Sequence, residues 1–137
     1  MSEPSSEGMG MVAQLGGVFL AGGLGASLRV VLSGRIEQAL VEQLPFAGVL
    51  LVNLAGCLLI GLASAAITSP DWRNIVLGGG LGGFTTYSAF ALFSLSLIES
   101  DRWGVLCVQL LAHLVGGVLC VWAGFAIARA LGFAASA

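Results

Sequence analysis

The stretch GGGLGGFTTYSAF, residues 78–90, places glycines, hydroxyls and aromatic rings inside an otherwise apolar segment. Glycine weakens a helix by about 1 kcal/mol per residue relative to alanine, so the run predicts a helix break. A break at membrane depth frees backbone C=O groups, which can hold a cation, and N–H groups, which can face an anion. Tyr87 and Phe90 follow, three residues apart on one helix face. Their ring edges, the positive part of the aromatic quadrupole, could contact a small anion, or the rings could simply fill core space.

Two further polar residues lie in apolar runs. Asn53 is in the middle of LLVNLAGCLLIG. An uncompensated amide in hydrocarbon costs several kcal/mol, so its side chain must face protein or water. It can make an interhelical hydrogen bond or act as a pore-lining donor. Arg29 ends GGLGASLR, where it can snorkel to the interface or form a positive vestibule that gathers anions.

The last apolar run contains Gln109 and His113, which lie four residues apart on one helix face. We interpret His113 as hydrogen-bonded to a neighbouring helix rather than as a ligand. Neither Asp nor Glu lies near the centre of any apolar run. Proton-coupled transporters and cation pathways use buried carboxylates, so the sequence disfavours both classes.

The elements that must position these residues follow from composition. Of the 137 residues, 58% are hydrophobic and only 9% are charged, against roughly 25% charged in soluble domains. Four apolar runs, each near the ~20 residues that a membrane-spanning helix needs, cover 11–32, 46–67, 75–98 and 104–131. We predict an all-α integral membrane domain over 11–132, with a third helix broken at mid-membrane. Residues 1–10 form a polar tail that we expect to be disordered, and no room is left for a conventional enzyme.

The arginines give little orientation signal. Arg73 and Arg129 fall on one side of the predicted membrane domain, and Arg35 and Arg102 fall on the other, with Arg29 if the first helix ends early. The chain has no lysine. Because orientation is set by a Lys/Arg excess in short loops, this chain could insert both ways and pair with itself antiparallel. A fixed orientation remains the alternative.

The motifs GGLGASLR, LVNLAGCLLIG and GGFTTYSAF, in this order on the first three helices, resemble those of the Fluc (CrcB) fluoride channels. The resemblance runs from about Gly16 to Leu131. It implies a passive, fluoride-selective channel in a prokaryotic cell membrane that exports fluoride from the cytoplasm to relieve fluoride toxicity. It also implies a dual-topology antiparallel dimer with two pores and one structural sodium ion (Na+) at the dimer centre.

Carried over residue by residue, the resemblance assigns Gly83 and Thr86 to the carbonyls that hold sodium. Asn53 matches the pore asparagine, and Tyr87 and Phe90 match the two aromatic positions that face fluoride. The remaining positions expected on the pathway are Ser88 and Thr85, which supply hydroxyls, and Arg29, which ends the first helix.

The sequence departs from the family pattern at two places. The first aromatic position is Tyr87 where the family usually has Phe. The fourth-helix segment AHLVGGVLCVWAGF contains no Ser or Thr, although the family usually adds hydroxyls from this helix. A homodimer is the favoured assembly. The alternatives are a half-pore or non-conducting subunit that pairs with a paralogue as a heterodimer and, less favoured, a proton-coupled small-solute exporter.

Overall fold

The computed structural model describes residues 8–40 and 46–133, and every regular element in these two ranges is helical. The elements are α1 (Met11–Leu40), α2 (Ala47–Ala66), α3 (Pro70–Arg73), a π-helix (Asn74–Leu81), α4 (Gly82–Phe84), α5 (Tyr87–Glu99) and α6 (Trp103–Ala130).

These elements form four spans that are long and apolar enough to cross a membrane: Met11–Leu40, Ala47–Ala66, Pro70–Glu99 and Trp103–Ala130. The third span contains α3, the π-helix, α4 and α5. The first span, α1, has no buried residue within the single chain, as expected for a helix whose apolar side chains face lipid or another subunit. The predicted fold class, four membrane-spanning helices with an interrupted third, is confirmed.

Two predicted helix boundaries are wrong. The first helix does not end at Leu32 but continues to Leu40, so Arg35 is helical rather than part of a connection. Polar side chains do not stop a helix, because straight-chain residues such as Arg and Glu are good helix formers. The third span begins at Pro70 rather than near Ile75, since proline is well tolerated in the first turn of a helix. The rest of the predicted connection to the second helix, residues 41–45, lies outside the described residues.

The segment that precedes α1 is tied to the start of the third span. Asp71 Oδ2 accepts a hydrogen bond from the Met9 backbone N–H at 2.7 Å, and Asp71 Oδ1 accepts one from Gln14 Nε2 at 3.0 Å. The prediction of a disordered tail over residues 1–10 therefore does not hold for Met9. Residues 1–7 lie outside the described part of the chain.

Glycines allow the third span to pack closely on α1. A Cβ placed at Gly79 would lie 2.8 Å from the Val18 carbonyl oxygen, and one at Gly83 would lie 2.5 Å from that of Gly22. Carbon atoms do not approach this closely, so any side chain at either position would push the two helices apart. Gly79 and Gly83 therefore form a packing surface against α1.

Candidate functional site

The third span breaks at Thr85 and Thr86. Both residues have extended backbone conformations, with φ −88° and ψ 155° at Thr85 and φ −145° and ψ 115° at Thr86. The predicted break is confirmed, and it lies directly before Tyr87, within the stretch 78–90 that predicted it. Residues 78–83 are helical, in the π-helix and α4, because contact with α1 stabilises the glycine run despite its low helix propensity.

Asn53 of α2 bridges the break. Its Nδ2 donates to the Thr86 carbonyl oxygen at 3.0 Å, and its Oδ1 accepts from the Thr86 N–H at 2.8 Å. In an uninterrupted helix that N–H would donate to the Gly82 carbonyl. One side-chain amide therefore satisfies both backbone groups of a residue that has left the helix, which is the compensation that a break at membrane depth requires.

Thr86 also starts the second half of the third span. Its Oγ1 accepts from the Ala89 N–H at 3.3 Å and lies 3.2 Å from Ser88 Oγ. This is the arrangement of a helix N-cap, in which a hydroxyl satisfies one of the N–H groups that a first turn leaves free. Ser88 is exposed on the single chain. Its one hydrogen bond among the described residues is to the capping threonine.

Arg29 reaches the other side of the break. Its Nε donates to the Gly83 carbonyl oxygen at 3.3 Å, near the end of α4. A cation is favourable at a helix C-terminus, where the carbonyls carry partial negative charge. The arginine side chain thus contacts a backbone carbonyl of the third span, a position that the sequence alone did not distinguish from snorkelling or from a vestibule.

The two aromatic residues differ in their surroundings. Tyr87 is 79% exposed on the single chain, whereas Phe90 is half-buried. Their ring centroids are 5.5 Å apart with a tilt of 49°. On its other side, the Phe90 ring lies 4.5 Å from the His113 ring, tilted by 46°.

An open cleft of about 670 Å³ brings these residues together. Five of the predicted site residues line it, namely Asn53, Thr85, Thr86, Tyr87 and Phe90. Its remaining wall is mostly apolar and comes from α2, the π-helix and α6. No carboxylate and no arginine line this cleft among the described residues. Ser88, Arg29 and Gly83 are not part of its lining.

Gln109 and His113, which the sequence places on one helix face, form a polar cluster with Ser94 between α5 and α6. Gln109 is fully buried, and its Nε2 donates at 3.1 Å both to the Phe90 carbonyl oxygen and to Ser94 Oγ. His113 Nδ1 is 3.0 Å from the Gln109 carbonyl oxygen, on its own helix. The interpretation of His113 as bound to a neighbouring helix is therefore wrong, although its ring does pack on Phe90. The four-residue spacing indicated a shared face but gave no sign of the Ser94 contact.

The described residues contain no group of three or more His, Cys, Asp and Glu side chains that could hold a metal. A cation here would need backbone or amide oxygens. The two carbonyls predicted to hold sodium, those of Gly83 and Thr86, each already accept one hydrogen bond. A carbonyl has two lone pairs. Because Thr86 is the N-cap of α5, its carbonyl also accepts the first hydrogen bond of that helix, so of the two oxygens only that of Gly83 keeps a free lone pair. The Arg29 guanidinium lies beside the Gly83 oxygen, and its positive charge disfavours a cation there.

Fold and site together define a small all-helical membrane protein with a braced break in its third span. Its family model is CrcB-like protein, Camphor Resistance (CrcB), which matches residues 17–125. Three relatives are each named fluoride-specific ion channel FluC. That of Dichelobacter nodosus (strain VCS1703A) is 42% identical over 118 residues, with 83% of this chain and 95% of the relative covered. That of Geobacter sp. (strain M21) is 39% identical over 124 residues, with 86% of this chain and 98% of the relative covered. That of Neisseria meningitidis (serogroup C, strain FAM18) is 33% identical over 108 residues, with 79% of this chain and 88% of the relative covered.

The chain belongs to the CrcB family. The resemblance inferred from the three motifs is thereby confirmed, since all three lie within the matched residues. With four spans of membrane-crossing length, the chain is a multi-pass protein of the bacterial cell membrane.

Proposed function

We propose that this chain forms a fluoride-selective passive channel through which fluoride leaves the cytoplasm, relieving fluoride toxicity. The observation that carries the proposal is the cleft beside the break, where Asn53, Tyr87 and Phe90 meet without any carboxylate. Family membership and the names of the relatives support the same ion.

The chemistry of the cleft suits a small, strongly hydrated anion. Asn53 has two N–H donors and its bond to Thr86 uses one of them, so the second can replace a water around the ion. The ring edges of Tyr87 and Phe90 add weaker positive contacts. Because the described residues place no carboxylate in the cleft lining, none of them both repels the anion and carries protons there, which favours passive flow over proton-coupled export.

A growth assay tests this function in cells. A bacterial strain that lacks its own fluoride exporter should grow at raised fluoride when it expresses this chain. It should not grow when it expresses Asn53→Asp at the same level, because a carboxylate in a low-dielectric path repels the ion. Equal fluoride sensitivity with the wild-type chain and an empty vector would refute the proposal.

The proposed assembly is an antiparallel homodimer of dual topology. The unburied α1 and the exposed Tyr87 are surfaces that a second copy would cover, and the balanced arginines permit both orientations. A single cysteine introduced at position 104 (Gly104→Cys) should react with a membrane-impermeant thiol reagent from both sides of the membrane. Labelling from one side only would establish a fixed orientation and refute dual topology.

The proposed cofactor is one structural sodium ion in the break. Its predicted ligands are the Gly83 and Thr86 carbonyls. The break also releases the Gly82 carbonyl, whose helical donor is bound to Asn53. Purification with a large organic cation in place of sodium, long enough for a slowly exchanging ion to leave, should slow fluoride flux or loosen the dimer. No change in either would count against a site at these carbonyls.

A heterodimer with a paralogue is the second candidate, and the fourth span favours it. The cleft wall from α6 consists of Leu110, His113 and Leu114, so this helix contributes no hydroxyl to the cleft. If the purified chain alone carries no fluoride but flux appears with a co-expressed family member, the chain is a half-pore subunit.

A further inference from the structure

The fully buried side chain of Gln109 is directed at the residue that shapes the cleft. Two side-chain donors converge on the Phe90 carbonyl oxygen: Gln109 Nε2 donates to it at 3.1 Å, and Ser94 Oγ donates to it at 2.8 Å. The same Gln109 nitrogen also donates to Ser94 Oγ at 3.1 Å. Because a carbonyl can only accept, the Gln109 atom facing Phe90 must be its nitrogen.

One turn further along α6, His113 contacts the same phenylalanine by its ring, with centroids 4.5 Å apart. Its Nδ1 donates to the Gln109 carbonyl oxygen at 3.0 Å, which fixes the orientation of the imidazole. Two residues four apart on α6 therefore hold Phe90 at two points, its backbone and its ring.

The orientation of Gln109 has a cost that packing does not explain. Its Oε1 is buried and has no hydrogen-bond partner among the described residues. An unsatisfied buried acceptor is unfavourable, whereas an apolar side chain of similar shape would leave no unpaired group. If α6 only had to pack against α5, leucine would serve better at this position. The amide is instead placed where its donors reach Phe90 and Ser94.

We propose that Gln109 is a positioning residue for Phe90, which ties the first turns of α5 to α6 and so fixes the ring at the cleft. This inference rests on the proposed function, because it assigns the ring to the ion path. Gln109 lies outside the cleft lining, so its effect on ion selectivity is exerted through Phe90.

The test compares Gln109→Leu with the wild-type chain in liposomes, using the fluoride to chloride efflux ratio. We expect the ratio to fall about tenfold, the factor that the loss of one hydrogen bond of ~1.4 kcal/mol represents. Thermal stability should stay equal or rise, since the unpaired Oε1 is removed. Ser94→Ala should lower the ratio in the same direction but less. The matched control is Ser64→Ala, which removes a hydroxyl bonded only to the Ile60 carbonyl of α2 and should change neither quantity.

A spectroscopic measurement does not depend on conduction. With 4-fluorophenylalanine at position 90, the wild-type chain should give one narrow 19F signal. Gln109→Leu should give a broadened signal or a second population, because the ring is no longer held. An unchanged spectrum, or lowered stability with an unchanged efflux ratio, would overturn the inference and leave Gln109 a packing residue. If the wild-type chain carries no fluoride, the proposed function fails and the 19F comparison alone decides the positioning role.

Discussion

The two halves of the third span are held in different ways. The first half, the π-helix and α4, is held by backbone contact: glycines at 79 and 83 lie against carbonyl groups of α1. The second half, α5, is held by side-chain hydrogen bonds from its neighbours, with Asn53 at Thr86 and Gln109 at Phe90. Because the break lies between them, each half can be disturbed separately.

This difference indicates which half carries the chemistry. The backbone contacts at Gly79 and Gly83 leave no room for a larger side chain, but they place no functional group at the cleft. The first half of the third span therefore has a structural role. Hydrogen bonds to α5 place an amide, a hydroxyl and a ring at the cleft, and each of them can be altered without forcing helices apart. We therefore expect variants of the first half to affect assembly, and variants of the second half to affect ion flow.

The largest expected effect comes from a substitution in α1 that disturbs its contact with the first half of the third span. In Gly25→Ala, the new methyl group would overlap the Gly80 carbonyl and lie 3.0 Å from the Phe84 nitrogen. Forcing an extra carbon into a packed contact costs about 1–3 kcal/mol, and more where backbone must move. Thermal unfolding of the purified protein in detergent should show a large loss of stability.

The matched control for that change lies two residues earlier. Gly23 has nothing within 4 Å of a built Cβ, so Gly23→Ala should leave the unfolding temperature equal or higher, since alanine favours a helix over glycine. Equal behaviour of the two variants would show that close contact with α1 does not hold the first half.

Asn53→Asp should have the next largest effect, and it should act on flux more than on assembly. The aspartate keeps an acceptor for the Thr86 N–H but loses the donor to the Thr86 carbonyl, and it adds negative charge to the cleft. Loss of a hydrogen bond to a buried group costs about 1–3 kcal/mol, which corresponds to a reduction in flux of roughly 10- to 100-fold. The like charge should lower it further.

Asn74→Asp is the matched control, because it makes the same chemical change at the start of the π-helix, outside the cleft lining. A carboxylate is tolerated near a helix N-terminus, so fluoride efflux should stay near the wild-type rate. The role of Asn53 would be contradicted by an Asn53→Asp protein that conducts at that same rate.

Thr86→Val should have the smallest effect. It removes the hydroxyl that accepts from the Ala89 N–H while keeping the shape of the side chain. Loss of a threonine N-cap typically costs about 1 kcal/mol, so hydrogen exchange should be faster in the first turn of α5 and unchanged in α4. Thr85→Val serves for comparison, because the Thr85 hydroxyl donates only to the Leu81 carbonyl of its own helix. If both variants exchange alike, Thr86 is not the cap.

The sequence predicted the membrane class, the four spans and the existence of a break, because each depends on local composition. Residue type and spacing also singled out Tyr87, Phe90 and Asn53, which line one cleft in the structure, while their role in ion passage stays a prediction. The helical conformation of the glycines was not predicted, because glycines that would weaken an isolated helix are stabilised here by contact with α1. The Gln109 cluster was missed for a similar reason: Ser94 and Phe90 are 15 and 19 residues away in sequence, and only the packing of α5 on α6 brings them together.

The most direct test of the central claim is efflux from liposomes that contain only this chain. Fluoride and chloride trapped in the same liposomes are followed by selective electrodes, with any proton gradient collapsed by an ionophore. The account predicts that fluoride leaves and chloride stays, because the cleft offers amide and ring-edge contacts to a small anion and no carboxylate. Retention of fluoride, equal release of both ions, or fluoride release only with a proton gradient would contradict it.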